Sequence, residues 1–170
     1  MATENLTTYI EVDSESNITV TTSAAQFENL TVGAISYVYK DYGPGYFGNF
    51  SIDFNFEIFF MSNEGQTVLC SFSNSPSATM VEQIAADDGI MVTAWRSGNR
   101  MRMQLYDWNT DNSDVHLYAL SSATIPPTYC TFERSGTNAT LYMYSDPTRT
   151  TLIDTLTFSF VPPVYSILVT

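Results

Sequence analysis

Apolar and polar side chains alternate along most of this chain, and that two-residue period predicts β-strands. The longest continuous stretch of it runs from Tyr129 to Phe160. In YCTFER and ATLYMYS larger side chains take every second position, and SGTN between them offers Gly136 where a positive φ costs little, so a β-hairpin is predicted. SDPTRTT then turns around Pro147, and LIDTLTFSF places Leu152, Leu156, Phe158 and Phe160 on one side, extending the hairpin into an antiparallel meander. Upstream, FSIDFNFEIFFMS puts Ile52, Phe54, Phe56, Ile58 and Phe60 on one face and Ser51, Asp53, Asn55 and Glu57 on the other. It reads as the clearest core strand of the chain.

The other segments follow the same rule. Thr7 to Asp13 and Ile18 to Leu30 read as outer strands, the second as one strand with a bend at its alanines. AISYVYKD leads into DYGPGYFGNF, where Gly43, Pro44, Gly45 and Gly48 force a compact irregular loop. TVLCSFS is a short strand, Ala78 to Ile84 is the one place for a helical turn, and GIMVTAWRSGNRMRMQLYDWN forms a second hairpin about SGN. VHLYALS follows a polar loop, and Pro162 and Pro163 break the chain before a final strand. The sum is about 11 to 13 strands without repeat or linker, an all-β antiparallel two-sheet sandwich in one domain, residues 1–170.

Composition narrows the role. With 6 Lys and Arg against 18 Asp and Glu, the net charge of −12 repels phosphate backbones and anionic membrane surfaces, so neither nucleic acid nor membrane insertion is expected. No apolar run approaches the roughly 20 residues of a membrane span, and the first residues lack the basic start and apolar core of a signal peptide. A hydroxyl-rich, acidic surface without such a leader suits a virion or extracellular particle surface, made in the cytoplasm and released by lysis. Cys70 and Cys130 sit in strand-like runs and are read either as one bridge or as two buried thiols, burial being the simpler. Five N-x-S/T triplets, at Asn5, Asn17, Asn29, Asn49 and Asn138, are what so much Ser and Thr produces by chance.

Two runs carry a family resemblance. R-S-G-T-x-A-T-L-x-x-Y-S-D-x-x-R-T-x-L-x-D-T-L, from Arg134 to Leu156, is similar to the C-terminal strands of concanavalin A-like (laminin G-like) jelly-roll domains of bacteriophage and environmental sequences. Tyr37 to Phe54, Y-V-Y-K-D-Y-G-P-G-Y-F-G-N-F-S-I-D-F, resembles the turn and long aromatic strand of the same group. The resemblance implies a jelly roll; it implies no activity, since that fold carries lectins, glycosidases, adhesion modules and virion proteins alike.

Candidate chemistry is sparse. Asp53, Asn55 and Glu57 share a strand face as glucanase carboxylates do, yet four residues at 3.3 Å set Asp53 and Glu57 about 13 Å apart, beyond the roughly 5.5 to 9.5 Å of a glycosidase pair. Asp107, Asn109, Asp111 and Asp114 concentrate hard oxygen donors in one loop and are the candidate Ca²⁺ ligands, with Asp87 and Asp88 as another possibility; Asn112 and Tyr118 break the EF-hand pattern. Tyr42, Tyr46 and Trp108, with Asn109 for hydroxyl recognition, are the candidate glycan platform, with Phe47 and Tyr106 nearby. Trp95 is expected in the core and the single histidine, His116, in a structural role. No nucleophile elbow, phosphate loop or C-x-x-C is present. The expectation is a non-enzymatic surface module that self-associates or attaches to a larger assembly and binds glycans; a dedicated lectin with a Ca²⁺ loop is the rival, and a glycoside hydrolase the weaker one.

Overall fold

The computed structural model describes residues 4–31, 36–74, 89–98, 100–107, 112–117, 123–159 and 167–169. They form thirteen strands and a single 3₁₀ turn, Leu6–Thr8, whose Thr7 amide donates to the Asn5 side chain. The strands are β1 (Ile10–Asp13), β2 (Ile18–Val20), β3 (Ala25–Phe27), β4 (Ser36–Asp41), β5 (Phe50–Ile58), β6 (Gln66–Ser73), β7 (Ile90–Ser97), β8 (Arg100–Asp107), β9 (Asn112–Leu117), β10 (Ile125–Ser135), β11 (Asn138–Tyr144), β12 (Leu152–Ser159) and β13 (Ile167–Val169). The fold is therefore all-β. Among the described residues no helix is long and apolar enough to cross a membrane.

A seven-stranded antiparallel sheet runs β1-β4-β13-β6-β7-β8-β9, and a four-stranded one runs β12-β11-β10-β5. Their inner faces pack together as a sandwich. Phe72, Ile90, Val92, Met103 and Leu105 of the larger sheet share one cluster with Cys130, Phe132, Leu141, Met143 and Leu156 of the smaller. Phe72 and Phe132 meet across the layer with ring centroids 5.4 Å apart. Strands β10 and β11 alternate buried and half-buried positions, as their sequence predicts, with Gly136 at φ +58 in the turn between them.

Three sequence expectations change. The span from Ile18 to Leu30 is a separate hairpin of β2 and β3, because Thr21 Oγ1 accepts the Ala24 amide at 3.0 Å and the Thr21 amide bonds the Ala24 carbonyl at 2.8 Å, closing a turn where a bend was expected. Trp95 is half-buried on the face of β7 turned away from the core, under the Arg102 guanidinium at 4.1 Å. Among the described residues strand β5 is an edge strand, paired with β10 alone, and all five of its inward apolar side chains stay half-buried. Alternation reports which face turns inward; it carries no information on how many neighbours a strand has. Both cysteines are free and buried, and the predicted helical turn at Ala78 to Ile84 lies outside the described residues.

Candidate functional site

Among the described residues the glycine loop between β4 and β5 builds the most site-like feature. At the end of β4 the Asp41 carboxylate accepts the Gly43 amide at 2.7 Å, and the Tyr46 amide bonds the Gly43 carbonyl at 3.3 Å. Gly43 and Gly45, at φ +89 and +77, take conformations that a Cβ would resist. This tight path folds Tyr46 back over Tyr42, with rings stacked 4.7 Å apart at 24°. Phe47 stands edge-on to both at 5.0 Å and reaches inward to Phe72.

The loop is pinned by β10, the neighbour of β5 in its sheet, and by the turn that follows β10. Arg134, itself only 4% exposed, donates from Nη1 to the Phe47 carbonyl at 3.0 Å, and the Gly136 amide donates to Asn49 Oδ1 at 2.7 Å. The aromatic platform is thereby tied to the β10–β11 hairpin, whose pairing is unbroken from Tyr129 to Ser135, which limits the ordering cost of binding.

Beside it opens a cleft of about 370 Å³, at the small end of the range for ligand sites. It lies at the mouth of the sandwich beside β5, with Tyr42, Tyr46, Phe47, Phe50, Ile52 and Leu168 as apolar lining and Glu4, Asn49 and Ser51 as polar lining. Tyr46 is 61% exposed, so its ring is free to meet a ligand. A polar relay backs the platform: the Tyr42 and Tyr9 hydroxyls lie 3.0 Å apart, and Lys40 Nζ sits 2.8 Å from Glu4 Oε2 and 4.7 Å over the Tyr42 ring. Burial, followed by the hydrogen bond with Tyr9, pushes the Tyr42 phenol well above its ordinary value, and burial raises Tyr9 as well. Both therefore stay neutral hydrogen-bonding groups at physiological pH. The Glu4 carboxylate pushes Lys40 upward and keeps it charged.

Tyr42 and Tyr46, proposed from sequence as a glycan platform, are thus brought together. Trp108 and Asn109 lie outside the described residues, as do Asp111, Asp87 and Asp88 of the Ca²⁺ candidates. Asp107 is fully buried at the end of β8, opposite Asn112. Asp114 accepts the Val115 amide through Oδ1 and the Thr157 amide through Oδ2, each at 2.9 Å, so both of its oxygens are engaged in the fold. Among the described residues no group of three or more His, Cys, Asp or Glu is placed to hold a metal ion. Asp53 accepts Thr131 Oγ1 at 2.6 Å with Arg149 Nε at 3.6 Å, while Glu57 lies four residues along the same strand.

Sequence reasoning missed Glu4, Tyr9, Lys40 and Asn49. Lys40 and Asn49 flank the glycine loop in sequence, whereas Glu4 and Tyr9 reach the cleft through the β1–β4 pairing, in which Ile10 meets Tyr39. His116, expected in a structural role, has its Nδ1 2.6 Å from Asp154 Oδ2, joining β9 to β12.

Comparison of the chain with family models, curated proteins and solved structures finds no match. The functional reading accordingly rests on the residues themselves.

Proposed function

We propose that this chain is a non-enzymatic jelly-roll module of the concanavalin A-like (laminin G-like) group, carried on the surface of a virion or other particle, that binds saccharide in the Tyr42–Tyr46 cleft. The observation that carries the binding reading is the pre-stacked Tyr42–Tyr46 pair opening on a 370 Å³ cleft with Asn49, Ser51 and Glu4 beside it. A sugar ring offers apolar C–H faces and equatorial hydroxyls. A flat aromatic face with hydrogen-bonding groups at its edge matches both. With a net charge of −12 and Glu4 in the lining, neutral saccharides are favoured over acidic ones. The particle-surface part rests on the two resembling runs and on the acidic, hydroxyl-rich composition.

The test is a broad glycan array followed by calorimetry on the best ligand. Tyr46→Ala should weaken binding by about 2 kcal/mol, roughly 30-fold, as removal of a central aromatic contact does. Tyr46 is mostly exposed, so the loss of its contacts with Tyr42 and Phe47, about 1 kcal/mol, should lower the melting temperature of the variant by only about 2 to 4 °C. A wild-type protein silent across neutral, amino and acidic glycans would overturn the reading.

A further inference from the structure

A two-sheet sandwich has four edges, and three of them here are blunted. Strand β1 is four residues long and ends at Asp13, whose carboxylate is occupied by the Ile18 and Glu15 amides and the Ser36 hydroxyl. Strands β9 and β12 are stitched to each other by the His116–Asp154 and Asp114–Thr157 bonds. The fourth edge, β5, is nine residues long, has no proline, and carries Phe59 and Phe60 directly after it at 75% and 73% exposure. Among the described residues no strand pairs with its outer side, and a long, apolar edge of this kind is a template for another strand.

We infer that β5 pairs with β5 of a second copy, antiparallel and centred on Phe54. A two-fold pairing must keep apolar faces together, so paired residue numbers must sum to an even total. The register centred one residue earlier sets Asp53 against Asp53, and one residue later sets Asp53 against Glu57; both place like charges opposite each other. Centred on Phe54, Asp53 meets Asn55 of the second copy, Glu57 meets Ser51, Ile52 meets Phe56 and Phe50 meets Ile58. This full-length register has no like-charge pair and brings the half-buried apolar faces of both copies into one layer.

Carried past the strand ends, the same register sets Phe59 and Phe60 of the second copy opposite Asn49 and Gly48, beside the cleft. Space is open there: a Cβ added at Gly48 would meet nothing within 4 Å. The two phenylalanines offer about 300 Å² of apolar surface per copy, over a third of the roughly 800 Å² that each partner gives to a stable interface. The paired edges supply the rest, and each cleft gains a wall from the other chain. The pairing gives a surface to the self-association expected of a particle protein, yet oligomeric state decides it independently of saccharide binding.

The experiment is sedimentation velocity with light scattering from 1 to 200 µM. The wild type should move toward twice the 19.0 kDa monomer mass as concentration rises, more readily at higher salt because the net charge repels. Asn55→Asp sets carboxylates opposite Asp53 twice per dimer and should raise the dissociation constant about ten-fold, whereas Asn55→Lys should lower it at low salt. Asn55 is exposed, so neither change should disturb the monomer fold, which circular dichroism checks. A strict monomer across the range overturns the pairing. So does a dimer that both Asn55 substitutions leave unchanged, since its interface would lie elsewhere.

Discussion

Leu141 and Ile52 place the same aliphatic bulk at two ends of a burial gradient. Leu141 is fully buried on β11, its register partners Phe132 and Leu156 are 0% and 1% exposed, and no solvent path relieves a hole left there. Truncation to alanine removes about three methylene equivalents at about 0.8 kcal/mol each, and the trapped cavity brings the total to about 3 to 4 kcal/mol. Ile52 also opposes Phe132, but it is half-buried on the edge strand and lines the open cleft. Half the transfer loss and no enclosed cavity give about 1 kcal/mol. For a chain of this size each kcal/mol moves the melting temperature by roughly 2 to 4 °C, so Leu141→Ala should fall about 10 °C and Ile52→Ala about 3 °C. Both are to be measured by urea unfolding and calorimetry at a protein concentration low enough to keep the chain monomeric. Equal losses would refute the picture of a sandwich closed over β10 and β11 and open at β5.

Two further outcomes follow from buried and bridging groups. Burial pushes the Cys130 thiol up to about 12 and raises Cys70 as well, so a thiol reagent at pH 8 should label neither in the native protein and both after unfolding; fast stoichiometric labelling of native protein would contradict their placement. Burial raises the Asp154 carboxyl, but the hydrogen bonds from His116 and the Thr155 amide outweigh it and hold the group below its ordinary value. A depressed folded pKa adds stability that is present above the unfolded value and lost as pH falls through the folded one. The gap between wild type and Asp154→Asn should therefore be widest near pH 6, at about 1 kcal/mol given the screening of a partly exposed pair, and should close below about pH 3. A gap constant from pH 6 to pH 2 would remove the bridge as its cause.

The meander from β10 to β12 was legible because a period of two, a glycine at φ +58 and short connections all select the same local structure. The Tyr42–Tyr46 platform was legible for a similar reason: glycines packed around aromatics force a local fold-back. What escaped is non-local. Strand β13 is three residues long and inserts between β4 and β6, a position no local pattern encodes. Glu4 and Lys40 meet only through strand pairing across the intervening chain. In β9 the hydrophobic pattern points the wrong way: Val115 and Leu117 are exposed, while Asp114 and His116 lie opposite buried Leu105 and Met103 on the inward side. A polar residue turned inward at a sheet edge follows from how the two sheets meet there, and that meeting is absent from the alternation.

The polar seam of Asp114, His116 and Asp154 gives the sandwich the mechanics of a bound book. The two sheets are held together along this spine by directional bonds, whereas beside β5 they meet through apolar contact, Phe50 lying on Phe72 with ring centroids 4.4 Å apart. Backbone amides at a sheet margin ordinarily exchange quickly with solvent, but that of Thr157 is held by a carboxylate from the facing sheet. The cleft, the paired tyrosines and β5 lie at the opposite margin. Because apolar contact is non-directional, it is this spine that fixes the offset of one cover on the other.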